Sequence, residues 1–294
     1  MPPLELVRLT ELMRRTAGSP AVTIGLIDGP VFLQHPDLAQ VYVRSFPLRE
    51  SRSAGDGTCT KPDSAECRHG TLVAGVLSAK RGSLAPAICP GCTLLIRPLF
   101  SEQAVENGEE PGASPLELAT AIHDCLDSGA RVINLSVALS QLSCQTNRHL
   151  EDSLTRALRR NVIVIAAAGN QGGLGSTAIT RHPWVIPVVG CDAGGSPLNE
   201  SNLGSSIGRR GLRAPGDSIT SLSGTGGFLT SGGTSIATPF VTGTVALLWS
   251  AFPSATAAQI RQAVCSIPRR RPATVVPPLL NAEAAYKAME SRAA

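Results

Sequence analysis

The chain has 294 residues, of which 43% are apolar, 16% charged and 3% aromatic, with 29 glycines and 22 prolines. This composition excludes a disordered chain, and the length allows one large domain with a substantial core. The net charge of +4, with arginines scattered apart from Arg269-Arg270-Arg271 and no basic stripe interleaved with aromatics, excludes a nucleic-acid partner.

From the N-terminus, Glu5, Arg8, Glu11, Arg14 and Arg15 alternate with leucines, which predicts an amphipathic helix over 3–16 rather than a secretory apolar core. No apolar run reaches membrane-spanning length, so no membrane partner is expected and a cytoplasmic location is. Val22 to Ile27 is a short β-branched apolar run ending at Asp28-Gly29-Pro30, the pattern of a buried strand. Residues 44–68 are polar and turn-rich and read as a long surface loop. His69 to Ala79 has helical apolar spacing, and Thr93 to Pro98 is a second buried strand.

Beyond an acidic loop (Glu102, Glu106, Glu109, Glu110), a helix is expected over Pro115 to Ser128, a third strand over Val132 to Ser136 and a helix over Asn147 to Arg160. The fourth strand, Val162 to Ala168, ends at Gly169-Asn170, and the fifth is Trp184 to Val189. Short β pieces lead to a long apolar helix, Thr234 to Ala251, and a further helix follows at about Ala255 to Val264. Pro268 to Pro278 reads as a basic connector and Asn281 to Arg292 as a surface helix. Strands apolar throughout, alternating with helices, predict an α/β fold with a mainly parallel sheet covered on both faces. One domain over 1–294, with its core at about 20–268, is expected.

Eight cysteines are present. Cys59 and Cys67 share one loop and Cys89-Pro-Gly-Cys92 another, while Cys125, Cys144, Cys191 and Cys265 are dispersed. Paired zinc-ligand spacing is lacking, so the order of expectation is free or buried thiols, then one or two disulfides, then zinc.

In parallel sheets the loops at the carboxyl ends of strands build the site. Asp28 ends the first strand, Asn170 follows the fourth, His69 is placed at the opening of a helix, and Gly233-Thr-Ser235 opens another. Each has a bland reading: a turn cap for Asp28, a helix cap for His69 or Ser235, a left-handed turn for Asn170. Together they match acyl-transfer chemistry. A serine hydroxyl needs a base to take its proton, a histidine serves near neutral pH, and a carboxylate fixes the histidine tautomer. An asparagine amide supplies a donor for the developing oxyanion.

The blocks Val22-Thr-Ile-Gly-Leu-Ile-Asp28, His35-Pro-Asp-Leu38, His69-Gly-Thr-Leu-Val-Ala-Gly75, Val132-Ile-Asn-Leu-Ser136, Ala166-Ala-Ala-Gly-Asn170, Ala214-Pro-Gly216 and Gly233-Thr-Ser-Ile-Ala-Thr-Pro239 stand in this order over residues 22–252. In them the chain resembles the subtilisin-like serine proteases, the subtilases. The resemblance implies a three-layer α/β/α fold, with Asp28, His69 and Ser235 as catalytic triad and Asn170 as oxyanion donor. It also implies an extended peptide substrate lying as an added strand against Arg97 to Phe100 and Ser136 to Ala138. The substrate-contacting residues are then Arg97, Pro98, Leu99, Ser136, Val137, Ala138 and Gly169.

Gly29-Pro30 stands where the family usually has a small hydroxyl residue and glycine. That variant, the short segment before the first strand, and Ala85-Pro-x-x-Cys89 leading into Arg97-Pro-Leu-Phe100 are similar to the subtilases that mature cyanobactin precursor peptides. They imply an intracellular processing endopeptidase. The alternatives are a macrocyclase on the same triad and a non-catalytic binding protein of this fold. Val137-Ala138-Leu139 stands where glycines usually line the primary pocket and would narrow it. The acidic loop is either a solvated face or an attractor of basic substrate residues. Lys80-Arg-Gly-Ser83 lacks the family's calcium-binding loop, so no metal is carried onto Asp37, and no cofactor is expected. The sequence carries no signal for oligomeric state.

Overall fold

The computed structural model describes residues 1–38, 42–46, 58–100, 102, 114–137, 147–265 and 274–293. The first two helices are α1 (Pro3–Leu6) and α2 (Thr10–Arg15). The single helix expected over 3–16 is therefore broken, because Val7 and Leu9 are both fully buried and cannot share one helical face. Arg8 between them takes a left-handed φ of 56°, and the Val7 carbonyl accepts a hydrogen bond from Ala282 N at 3.0 Å.

The central sheet is built from β1 (Thr23–Asp28), β2 (Tyr42–Ser45), β3 (Thr93–Pro98), β4 (Val132–Leu135), β5 (Ile163–Ala167), β6 (Ile186–Cys191) and β7 (Leu212–Pro215). Its order is β2-β3-β1-β4-β5-β6-β7, with every pairing parallel. Strands β1, β4, β5 and β6 are buried along their whole length, as continuous apolar runs require when helices cover both faces. β2 lies at one edge, within a stretch that overlaps the expected loop. β8 (Ile219–Leu222) and β9 (Phe228–Ser231) form a separate antiparallel hairpin.

The helices between strands are α3 (Ala65–Ser78), α4 (Pro115–Asp127), α5 (Arg148–Arg159), α6 (Ala178–Arg181) and α7 (Ser205–Arg210). α4 begins at a capping box, where the Ser114 hydroxyl accepts from Glu117 N and the Glu117 carboxylate from Ser114 N. α8 (Thr234–Ala251) is buried from Thr234 through Trp249 and packs against α3 and strands β4 to β7. α9 (Ala257–Cys265) and α10 (Ala282–Ala293) close the C-terminal part. The core is continuous and reaches from Val7 in the N-terminal segment to Met289 in α10. Among the described residues no helix is long and apolar enough to cross a membrane.

Several boundaries depart from expectation. α3 begins four residues before His69, because the Ser64 hydroxyl caps it by accepting from Cys67 N at 3.0 Å. β6 starts two residues after Trp184, whose indole N–H instead donates to the Val162 carbonyl at 2.7 Å. Cys59 and Cys67 are joined in a disulfide, so neither offers a thiolate to zinc. Such bonds belong more often to oxidising compartments, which is at odds with the cytoplasmic expectation. Cys89, Cys92, Cys125 and Cys191 are buried free thiols and Cys265 is half-buried, in line with the first-ranked reading; Cys144 lies outside the described residues. Burial pushes the Cys125 thiol up to about 12 and that of Cys191 to about 11, which keeps both protonated and non-nucleophilic.

α3 approaches the turn after β1 at backbone distance. A Cβ on Gly70 would lie 2.4 Å from the Pro30 carbonyl oxygen, and one on Gly29 would lie 2.1 Å from that of Glu66. Gly70→Ala must therefore shift backbone, and we expect it to destabilise the fold by about 1–3 kcal/mol, the range for overpacking. Urea denaturation checks this; an unchanged midpoint would refute the account of the helix–turn contact.

Candidate active site

Asp28 is the last residue of β1 and is fully buried. Its Oδ1 accepts from Gly29 N at 2.6 Å and lies 2.6 Å from His69 Nδ1. Its other oxygen, Oδ2, is also buried and has no hydrogen-bond partner among the described residues. His69 is the fifth residue of α3, and its Nε2 lies 2.9 Å from Ser235 Oγ. One imidazole thus spans a carboxylate and a hydroxyl from three separate elements, β1, α3 and α8.

Ser235 is the second residue of α8 and 9% exposed. Its N–H is one of the first-turn donors without a helical acceptor. Gly233, at φ 115°, turns the chain into the helix in a conformation that disfavours any side chain. A Cβ there would also meet Asn170 Nδ2 at 3.0 Å. Asn170 is exposed just beyond β5, with its Oδ1 accepting from both Thr234 N and Thr234 Oγ1 at 2.9 Å. With the carbonyl end held, the NH₂ end is the one left beside Gly233. Sequence reasoning passed over Thr234, although its place between Gly233 and Ser235 was a signal.

The remaining residues expected to contact substrate fall into different positions. Arg97 turns its side chain onto α4, with Nε 2.8 Å from Asp124 Oδ2 and the guanidinium 5.7 Å from the Phe46 ring. The side chain is committed to α4 and to the Pro98 carbonyl, to which Nη1 donates. Pro98 pairs in register with Asp28, and Leu99 N donates to the Asp28 carbonyl at 2.8 Å. Gly169 is likewise engaged, donating to Thr234 Oγ1 at 3.2 Å and accepting from Asn202 N at 2.9 Å. Ser136 is buried with its hydroxyl on the Ser235 carbonyl at 3.0 Å, and Val137 is buried beside it. Ala138 and Leu139 lie outside the described residues.

In the acidic stretch, Glu102 accepts from Thr60 N at 2.6 Å and Lys61 N at 2.9 Å, which ties it to the chain leading into α3. That is a structural clasp, not a free wall of negative charge. Glu106, Glu109 and Glu110 lie outside the described residues. Asp37 is satisfied within the chain by Lys80 Nζ at 2.7 Å and Ser83 Oγ at 2.6 Å, so an ammonium stands at this carboxylate where a metal cation would otherwise balance it.

The model of the subtilase family matches residues 19–268. Subtilisin E of Bacillus subtilis (strain 168) is 30% identical over 242 residues, which are 82% of this chain and 58% of that protein. The chain therefore spans under two thirds of that relative's length. Among solved structures, a mutant of the protease domain of PatA aligns with a TM-score of 0.83 at 28% identity, over 94% of this chain and 97% of that one. The prenylagaramide maturation protease PagA aligns with a TM-score of 0.81 at 27% identity, over 98% and 99% of the two chains.

Burial by itself pulls the His69 imidazole down, but the Asp28 charge and its hydrogen bond outweigh burial and hold His69 above its ordinary value of 6.5. Two consequences of opposite sign follow. Protonated His69 paired with Asp28 adds stability that is complete below the unfolded value and is lost as pH rises through the raised one. Only the neutral ring can take a proton from Ser235, so serine reactivity falls as pH drops through that raised value. We expect the rate of Ser235 modification by an electrophile to show its acid limb above pH 6.5, and Asp28→Asn to move the limb downward. A limb that stays in place in Asp28→Asn would show that the carboxylate does not set the titration.

Proposed function

The chain belongs to the subtilase family, and on that premise we propose that it is a serine endopeptidase. Ser235 Oγ attacks a peptide carbonyl while His69 Nε2 takes its proton. Asp28 holds Nδ1–H and stabilises the imidazolium that forms. The oxyanion is received by Asn170 Nδ2 and the Ser235 N–H, donors fixed in place before the reaction begins. His69 then protonates the leaving amine, and water, deprotonated by the same imidazole, hydrolyses the ester on Ser235. The observation that carries this reading is the bridging position of His69, 2.6 Å from Asp28 Oδ1 and 2.9 Å from Ser235 Oγ.

The proposed substrate is an extended peptide. Among the described residues β2 pairs with β3 from Thr93 to Ile96, and the backbone beyond, from Arg97 onward, is the proposed place for an added strand. PagA is named a maturation protease, and its similarity along nearly the whole of both chains supports a ribosomally made precursor peptide as substrate.

The test is a fluorophosphonate probe followed by candidate precursor peptides, applied to wild type and Ser235→Ala. We expect labelling of wild type alone and a loss of peptide cleavage of about 10⁴-fold or more in the variant. Absence of Ser235-dependent labelling would refute the enzyme, and broad cleavage of unrelated proteins would refute precursor processing. Mass analysis separates hydrolysis, which gives linear products, from transfer of the acyl group to an amine of the peptide itself, which gives cyclic ones.

A further inference from the structure

In an α-helix the carbonyl of residue i accepts from the N–H of residue i+4. Four residues after Ser235 stands Pro239, within α8, and proline has no N–H to give and crowds the carbonyl four residues back. The residue deprived of its helical donor is thus Ser235 itself. A buried carbonyl left without a partner is costly, so the fold must supply a donor from elsewhere.

Ser136, the residue after β4, supplies it. Its Oγ lies 3.0 Å from the Ser235 carbonyl oxygen. A carbonyl only accepts, so the single hydroxyl proton of Ser136 is committed to it, and the Ser136 oxygen must accept from another group. Asn134 Nδ2 donates to it at 2.8 Å. That orients the Asn134 amide with Oδ1 toward Thr242, whose Oγ1 donates to it at 2.8 Å. Asn134, Ser136 and Thr242 are all buried. The directions of the Ser136 and Asn134 hydrogen bonds follow from the one acceptor at the end of the chain, while the single proton of Thr242 has both Asn134 Oδ1 at 2.8 Å and the Thr238 carbonyl at 3.3 Å within reach.

We propose that Ser136, Asn134 and Thr242 form a positioning relay for Ser235. It replaces the donor that Pro239 lacks and fixes ψ at Ser235, hence the direction in which its Cα–Cβ bond carries Oγ toward His69. All three side chains are buried and engaged with one another or with the Ser235 carbonyl, so they act through the serine backbone. The inference rests on the proposed role of Ser235 and deepens it, since the strand that aims the nucleophile also leads into the expected peptide-binding edge.

The experiment compares Ser136→Ala, Ser136→Thr and Thr242→Val with wild type in the full chain. It measures the fluorophosphonate labelling rate, kcat and KM for p-nitrophenyl acetate, and the melting temperature. We expect Ser136→Ala to lower the labelling rate and kcat about tenfold or more, the factor that ~1.4 kcal/mol on the barrier produces, with KM changed less than about twofold. Ser136→Thr, which keeps the hydroxyl, restores most of the rate, and Thr242→Val lowers it in the same direction by less. The relay is overturned if folded Ser136→Ala labels at the wild-type rate, whatever its melting temperature, or if threonine rescues no better than alanine. Should Ser136→Ala fail to fold, Thr242→Val decides: a wild-type rate in that variant overturns the relay. Wild type that does not label at Ser235 refutes the reading of the site itself, a result distinct from labelling that is indifferent to Ser136.

Discussion

The contact between α3 and the turn after β1 is the constraint on which the site depends. The two backbones come closer than side chains permit, meeting through Gly29 and Gly70, and this sets the helix that carries His69 against the strand end that carries Asp28. The Asp28–His69 hydrogen bond is the result. The disulfide between Cys59 and Cys67 and the Glu102 clasp on Thr60 and Lys61 bear on the same place, since both restrain the chain immediately before α3. Three unrelated devices therefore act on one helix terminus.

α8 is under a different pressure. A helix buried from Thr234 to Trp249 has to satisfy every polar group within the protein. Two of its threonines do so locally: Thr238 donates to the Thr234 carbonyl at 2.7 Å and Thr244 to that of Phe240 at 2.8 Å. Pro239 is the exception, because it removes a donor that no side chain of the helix replaces, and Ser136, the residue after β4, supplies one. A local defect in the helix thus becomes a tether between helix and sheet, placed at Ser235, the proposed nucleophile.

Legibility in the sequence followed the range of the forces involved. Buried parallel strands show as unbroken apolar runs, so β1, β3, β4 and β5 were readable to within a residue or two, and α8 was readable to its ends. Asp28, His69, Asn170 and Ser235 were readable as a set because their chemistry is meaningful only jointly. What the sequence concealed depended on contacts between distant segments. Val7 and Leu9 break the N-terminal helix because α10 and the core claim both. Arg97 lies in the right strand, but Asp124, 27 residues away, takes its side chain. The pairing of Cys59 with Cys67 is a fact of loop geometry, and spacing alone left it behind free thiols.

The electrostatics of the site fit the role proposed for His69. His69 held above its ordinary value contributes most to folding when it is protonated, the state in which it cannot act as a base toward Ser235. In the state the proposed mechanism requires, the ring is neutral and Asp28 remains buried, with Oδ2 unpaired among the described residues. A group arranged for stability alone would have that oxygen satisfied or exposed to water. The residue after Asp28 is glycine, which admits α3 to contact distance but brings no side-chain donor to Oδ2. One position thus trades a hydrogen bond to the carboxylate for the approach of the histidine. The free energy this costs is offset by the burial of α8 and the sheet around it.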